Sequence, residues 1–276
     1  MKLNLVPART GFTWVRLGLR TFWHRPLALA GLFLTAMVAM SLASLLPLVG
    51  TVLALALLPA TTLAMVVASA EAVRGKSPTP SVLLAALRTS RERMKAMATL
   101  GLLYAAGFLL VMGVSALIDG GQFASLYLGG GRLTPQTVAE PKFQAAVWIT
   151  MALYLPLSLM FWHAPALVHW HGVSPVKSLF FSAVAGVRNI GAFTLYGIGW
   201  MGVFLGAGLA VSVVATLLVG VGALTGGAGA TFAGALMVGG ALTMAAMFFT
   251  SIVFTFRDCF EPPERSDELS AERTPA

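Results

Sequence analysis

Six stretches of the chain stay apolar for about 20 residues or more with no Asp, Glu, Lys or Arg inside them, roughly at 27–46, 51–70, 97–118, 144–168, 191–218 and 230–256. A helix rises about 1.5 Å per residue, so about 20 such residues cross the roughly 30 Å hydrocarbon core of a bilayer. Hydrocarbon offers the backbone no hydrogen-bond partner, so each stretch is expected to satisfy its own backbone as a transmembrane α-helix. The first run is too long for the roughly 7–15-residue core of a cleaved signal peptide and is expected to be a retained span. Only Pro47-Leu48-Val49-Gly50 separates the first two spans, which predicts a tight hairpin, and a glycine-rich stretch around Gly226, Gly227 and Gly229 joins the last two. The one long connection on the far side, about 119–143, holds Gly129-Gly130-Gly131 and two prolines and is expected to be a partly structured excursion. The bundle is thus expected over 1–257, followed by a polar, proline-containing tail at 258–276 that reads as disordered.

The basic residues give the pattern a direction. All of the 18 Lys and Arg except Arg132 and Lys142 fall before the first span, between spans two and three, between four and five, or after the last. With six spans those segments share one side, which the positive-inside bias makes the cytoplasm, so both termini are expected there. Composition agrees: the 276 residues are 58% hydrophobic and only 10% charged, with mean hydropathy +0.85, whereas a soluble domain carries about 25% charged residues. In a soluble protein the net charge of +8 would suggest nucleic acid. Here the charges flank apolar runs, so the expected partner is the anionic headgroup layer and not nucleic acid. The single cysteine, Cys259, excludes an internal disulfide.

Three of the basic segments resemble one another when aligned on Arg25, Arg93 and Arg188, each leading into a span. Pro59 and Pro156 lie 97 residues apart, as do Gly75 and Gly172, Ser77 and Ser174, and Pro78 and Pro175. The repeat unit this implies is a cytoplasmic amphipathic helix followed by a transmembrane hairpin, used three times in parallel. The fold class expected is therefore all-α: six transmembrane helices as three parallel hairpins, with two or three interfacial helices. In the first of these helices Phe12, Val15, Leu19, Phe22 and Trp23 share one face and Arg9, Arg16, Arg20 and His24 another, the pattern of a helix lying at the headgroup level. Arg16, Arg20, Arg25, Arg88, Arg93 and Arg188 are the candidate headgroup contacts.

Little in the sequence carries chemistry. Pro59 and Pro156 each remove a helical hydrogen bond, to the carbonyls of Leu55 and Ala152, and are candidate helix kinks. Prolines at matching repeat positions point to a carrier site, but no ionisable residue lies near either, which weighs against ion coupling. Three parallel hairpins are also the plan of mitochondrial carriers; those place a proline, an acidic and a basic residue on odd-numbered spans, whereas Pro59 is followed by Ala60, Thr61 and Thr62 on an even one. His163, His169 and His171 cluster beside Trp162 and Trp170, but positions 163 and 169 are roughly 240° apart around a helix, so an interfacial aromatic belt is expected and not a metal site. Gly202, Gly206 and Ala210, and likewise Thr35, Ala39 and Ala43, form rows of small residues expected to pack within the bundle, the alternatives being a homo-oligomer contact or a pore lining; a homo-oligomer or a membrane-protein partner is the expected protein contact. Asp119 and Gln122 read as a helix-end cap. No nucleophile elbow, zinc-protease, phosphate-loop or dinucleotide motif occurs in a usable context, so no catalytic residue, metal or cofactor is expected.

The run PALVHWHGVSPVKSLFFSAVAGVRNIGAFTLYG at 165–197 resembles a family of uncharacterised multi-pass inner-membrane proteins of proteobacteria, chiefly β-proteobacteria, and GFTWVRLGLRTFWHRPLALAGLF resembles the start of the same family. The layout is more distantly similar to bacterial six-helix membrane families, including the membrane domain of some glycerophosphodiester phosphodiesterases. These resemblances imply a bacterial inner membrane and a helical bundle, and bring no activity with them. The function expected is a non-enzymatic scaffold or lipid-interacting component of the envelope; the alternative is a carrier or flippase for a neutral or lipidic substrate.

Overall fold

The computed structural model describes residues 2–129, 131–225 and 228–261. The helices are α1 (Thr10–His24), α2 (Pro26–Ser44), α3 (Gly50–Val73), α4 (Arg91–Asp119), α5 (Gln122–Leu128), α6 (Pro135–Ala139), α7 (Pro141–Trp162), α8 (Ala164–His171), α9 (Pro175–Arg188), α10 (Ile190–Thr225) and α11 (Gly229–Cys259). Six helical segments are long and apolar enough to cross a membrane: α2, α3, α4, α7 with α8, α10 and α11. The α2–α3 hairpin is tight as expected but turns over the five residues Leu45–Val49, Gly50 opening α3, with Leu48 in the left-handed region at φ +67° and Val49 N–H donating to the Pro47 carbonyl at 2.8 Å. The far-side connection holds α5 and α6. The Asp119 carboxylate caps α5, accepting from Gly121 N at 2.9 Å and Phe123 N at 2.7 Å, and Gln122 Nε2 donates to Glu140 Oε2 at 2.9 Å.

Several boundaries differ from expectation for local reasons. Span four is not one helix. Pro165 has no N–H to give the Phe161 carbonyl, so α7 ends and α8 begins about His163, whose φ is −107°. Ser182 of α9 fills the break: its hydroxyl donates to the Leu159 carbonyl at 2.7 Å and accepts from His163 N at 2.9 Å. A side chain thus stands in one rung of the helical ladder. Of the three repeat segments, the first and third are the helices α1 and α9. The middle one is a short 3₁₀ turn at Pro80–Leu84, opened by Pro80 and followed by turns, until Ser90 caps α4 through Arg93 N at 3.3 Å. The segment expected to be disordered from 258 onward begins inside the fold: α11 runs through Cys259, and Phe260 pairs antiparallel with Leu3. Residues 262–276, and Gly226 and Gly227, lie outside the described residues.

α11 stands at the centre of one half of the bundle, packed against α10, α1, α3 and α2, while α4 joins α3 to α7 and α7 rests on α9. The main core gathers Trp14, Phe22, Leu29, Phe33, Met65 and Trp200 with Phe254 and Phe256 of α11; smaller clusters form around Leu100 and Tyr104, and around Met112 and Phe143. α1 does not lie free on a surface. Its Gly11, Trp14, Val15, Gly18 and Phe22 are buried, whereas Phe12 and Trp23 point outward. Trp14 rather than Phe12 or Trp23 is therefore its inner residue. The Gly202, Gly206, Ala210 row does not pack among the described residues: it lies exposed on α10, and a Cβ added at Gly202 or Gly206 would meet none of them within 4 Å.

Two glycines set how closely α1 approaches. A Cβ at Gly11 would collide with the Ala192 carbonyl and the Tyr196 backbone of α10, and one at Gly18 with Ser251 of α11. Gly18→Val is expected to lower stability by about 1–3 kcal/mol, the usual cost of overpacking a tight interface. Gly197→Ala on α10, where a Cβ meets nothing within 4 Å, is expected to be neutral or to gain about 0.5 kcal/mol from helix propensity. Unfolding midpoints of the two variants in mild detergent provide the comparison.

Candidate functional site

The most structured polar constellation lies along one face of α11, at Ser251, Thr255 and Asp258, spaced four and three residues apart so that they stack on one side of the helix. Ser251 gives its own hydrogen to the Phe248 carbonyl at 2.6 Å, and Thr255 gives its own to the Ile252 carbonyl at 2.8 Å. Each hydroxyl oxygen then has two lone pairs to offer. Ser251 accepts the Tyr196 O–H at 2.6 Å and the Trp200 indole N–H at 3.2 Å. Thr255 accepts the Trp162 indole N–H at 3.1 Å and the His163 Nε2–H at 3.0 Å. This assignment makes His163 a neutral Nε2–H tautomer, inferred from the network, and leaves Nδ1 buried with no partner among the described residues. Asp258 completes the face: Oδ2 accepts the Trp14 indole N–H at 2.8 Å, and Oδ1 pairs with Arg257 Nε at 2.8 Å. The rings that donate also pack together, Trp14 and Trp162 each meeting Phe193 and Tyr196 edge-on with centroids 5.5–6.0 Å apart.

Asn189, in the link between α9 and α10, ties down the N-terminal segment. Its Oδ1 accepts Val6 N at 2.9 Å, and its Nδ2 donates to the Asn4 and Ala185 carbonyls, both at 3.1 Å. Asn4 N in turn donates to the Cys259 carbonyl at 2.9 Å. The segment before α1 and the end of α11 therefore meet at one end of the bundle, as an even number of crossings requires.

The six candidate headgroup arginines, Arg16, Arg20, Arg25, Arg88, Arg93 and Arg188, are all exposed. Arg25 Nη2 donates to the Gly75 carbonyl at 3.3 Å, and Arg93 lies against Gly172. Pro59 and Pro156 both fall inside helices that continue past them, but in different settings. Pro59 is buried beside a cleft of about 120 Å³ that also reaches Thr62, Tyr104, Tyr154 and Trp162, whereas Pro156 is exposed. The Tyr104 and Tyr154 hydroxyls face each other across that cleft at 3.2 Å. The three histidines do not converge. His163 is buried among Phe193, Phe256 and Phe260, while His169 and His171 are half-exposed on α8. No group of three or more His, Cys, Asp and Glu comes together among the described residues. Sequence reasoning missed Ser251, Thr255, Asp258, Asn189 and Trp14. The available signal was the four-and-three spacing of hydrogen-bonding residues at the end of the last span.

The chain is similar to a protein of Burkholderia thailandensis described as a probable inner membrane protein, with 37% identity over 263 residues covering 94% of each chain. No protein-family model matches the chain, and no solved structure matches it.

Thr255→Val and Ser251→Ala each take the acceptor from two buried donors. Each is expected to destabilise the protein by about 1–3 kcal/mol, the usual cost of leaving such groups unpaired. Thr243→Val is the control, because that hydroxyl bonds only the Gly239 carbonyl of its own helix; it should stay within about 0.5 kcal/mol of the parent. Denaturation followed by tryptophan emission reads all three.

Proposed function

Because the chain belongs to the family of that inner-membrane protein, we propose that it is a multi-pass protein of a bacterial inner membrane, with both termini in the cytoplasm, acting without chemistry of its own as a scaffold and lipid-contacting component of the envelope. The observation that carries this reading is the set of six exposed arginines on segments that the positive-inside bias assigns to the cytoplasm. The junction of Asn4 with Cys259, which brings the segment before α1 and the end of α11 to one end of the bundle, supports the same side for both. The polar groups of the core support it from the other direction, since the face of α11 spends its hydroxyls and carboxylate on holding aromatic side chains. α1 and α9 take the interfacial role of the three-unit repeat, and the shortened middle turn contributes only its arginines.

A second reading, a carrier or flippase for a neutral or lipidic substrate, is favoured by the cleft beside Pro59 and the Tyr104–Tyr154 hydroxyl pair. The outward setting of Pro156 weighs against the two prolines acting as a matched pair. Replacing both with alanine separates the readings: a carrier loses transport while staying folded, and a scaffold shows only a change in stability.

The test of the leading reading is native mass spectrometry of the protein released gently from its own membrane. Retained anionic phospholipid or a co-purifying membrane protein is expected; a retained neutral solute at fixed stoichiometry would favour the carrier. Replacing Arg16, Arg20, Arg88 and Arg188 together with glutamine is expected to thin the general shell of anionic lipid, at about 1 kcal/mol for each charge near the surface. Reporter fusions at both termini are expected to be active only with cytoplasmic reporters.

A further inference from the structure

The cleft of about 120 Å³ beside Pro59 lies where α3, α4, α7 and α11 meet, and no charged residue lines it. Phe161, Trp162, Phe248 and Phe249 give it aromatic walls, and Thr62, Tyr104, Tyr154 and Ser158 bring hydroxyls to it. Most of its donors are spent. Thr62 and Ser158 give their hydrogens to the Leu58 and Leu155 carbonyls of their own helices, and the Trp162 indole N–H goes to Thr255. The two tyrosines differ, because their hydroxyls bond each other at 3.2 Å and no other described residue. Two phenols carry two hydrogens and the bond between them uses one, so one O–H is left over whichever tyrosine donates.

That leftover hydrogen lies deep in the bilayer. Along α4 the charged residues nearest to Tyr104 are Lys95 and Asp119, roughly 13 and 22 Å away at about 1.5 Å of rise per residue. On α7, Lys142 precedes Tyr154 by roughly 18 Å on the same scale. Phospholipid ester carbonyls sit at the edges of the roughly 30 Å hydrocarbon core, and acyl chains offer no acceptor. An oxygen that reaches this O–H therefore arrives on a molecule that dissolves wholly in hydrocarbon.

We propose that the cleft binds a neutral, lipid-soluble ring carrying a carbonyl oxygen, the chemistry of a quinone with a hydrocarbon tail. The ring lies among the four aromatic walls, one carbonyl accepts the leftover phenolic O–H, and the tail leaves into the bilayer past the exposed Tyr154 and the half-exposed Ser158. The size agrees, since an apolar cavity of about 150 Å³ holds a benzene ring and this cleft has a mouth through which ring substituents project. Its uncharged lining suits a neutral ring and gives a phosphodiester or an ammonium group no partner. A mainly apolar cleft with a few convergent polar groups is the usual form of a small-molecule site. The proposal rests on the cleft of the carrier reading and names its ligand class, but binding needs no transport.

The test is native mass spectrometry of the delipidated full chain in mild detergent, titrated with a fully methylated benzoquinone bearing a decyl chain, or with the arene of the same substitution that lacks the carbonyls. One quinone is expected to stay bound to each chain, with the arene about tenfold weaker, the worth of one hydrogen bond. Replacing both tyrosines, Tyr104→Phe with Tyr154→Phe, removes the hydroxyls and keeps the rings. Because the two polar groups leave as a pair, the unfolding midpoint is expected to stay near that of the parent, while quinone affinity falls to that of the arene. Ser158→Phe fills the mouth and is expected to exclude both ligands. If the parent binds quinone no better than arene, or the double variant keeps the preference, no carbonyl bonds the tyrosines and the proposal is overturned. If the parent retains neither molecule, or Ser158→Phe binds both as the parent does, the cleft is not a ligand site. Quinone held by a chain that transports nothing would keep the site and end the carrier reading; transport by a chain that binds no quinone would do the reverse. Retention of anionic phospholipid is untouched by any of these results, so the leading reading is tested separately.

Discussion

An indole ring is a good filler for a membrane bundle, but its N–H needs an acceptor that hydrocarbon does not supply. This protein buries Trp14 and Trp200 completely or nearly so, with Trp162 half-buried beside them, and one helix meets the requirement for all three. Along α11, Ser251, Thr255 and Asp258 each accept an indole N–H, and the two hydroxyls also accept from Tyr196 and His163. The donors come from three parts of the chain: α1, the end of α7 with the α7–α8 break, and α10. The result is one helix on which the others register. A slide of α1 or α10 by one turn would leave a buried donor unpaired, a cost of about 1–3 kcal/mol for each group.

The same logic explains the break in span four. Pro165 forces α7 to stop, which would strand the Leu159 carbonyl and the His163 amide, and Ser182 bridges both. That single hydroxyl fixes α9 beneath α7 and α8. It also sets the bend after which α8 carries Trp170 to a cleft shared with α3 and α11. The N-terminal segment is locked by backbone pairing with Cys259 and Phe260 and by the Asn189 amide. The end of the bundle that bears the arginines is thereby built from both ends of the described chain at once. A face that carries exposed arginines is held in shape by these bonds.

Hydropathy alone made the spans legible, because about 20 uncharged apolar residues leave few alternatives to a crossing helix. The Pro47–Gly50 hairpin and the Asp119 cap were equally plain, being local. Three things were hidden. The inner face of α1 follows Gly11, Trp14, Gly18 and Phe22, because glycine permits close approach where a hydrophobicity pattern looks for large residues; Phe12 and Trp23, the louder signals, face out. Asp258 reads as the start of a polar tail when only charge is counted, yet it lies within the last turn of α11 and takes the Trp14 N–H. Small-residue rows fail for the opposite reason: Gly202 and Gly206 mark where a helix could approach, and among the described residues none does.

The most direct test of the α11 account is a double-mutant cycle on its one-to-one pair, Trp14→Phe and Asp258→Ala, measured by equilibrium unfolding in a fixed detergent. An indole N–H bonded at 2.8 Å to a carboxylate is expected to give a coupling of about 1.5–3 kcal/mol, the range for hydrogen bonds to charged groups. Additivity of the two single variants within about 0.5 kcal/mol, as for independent sites, would contradict it. Trp14 would then hold α1 in place by packing alone, and α11 would not be the helix on which the others register.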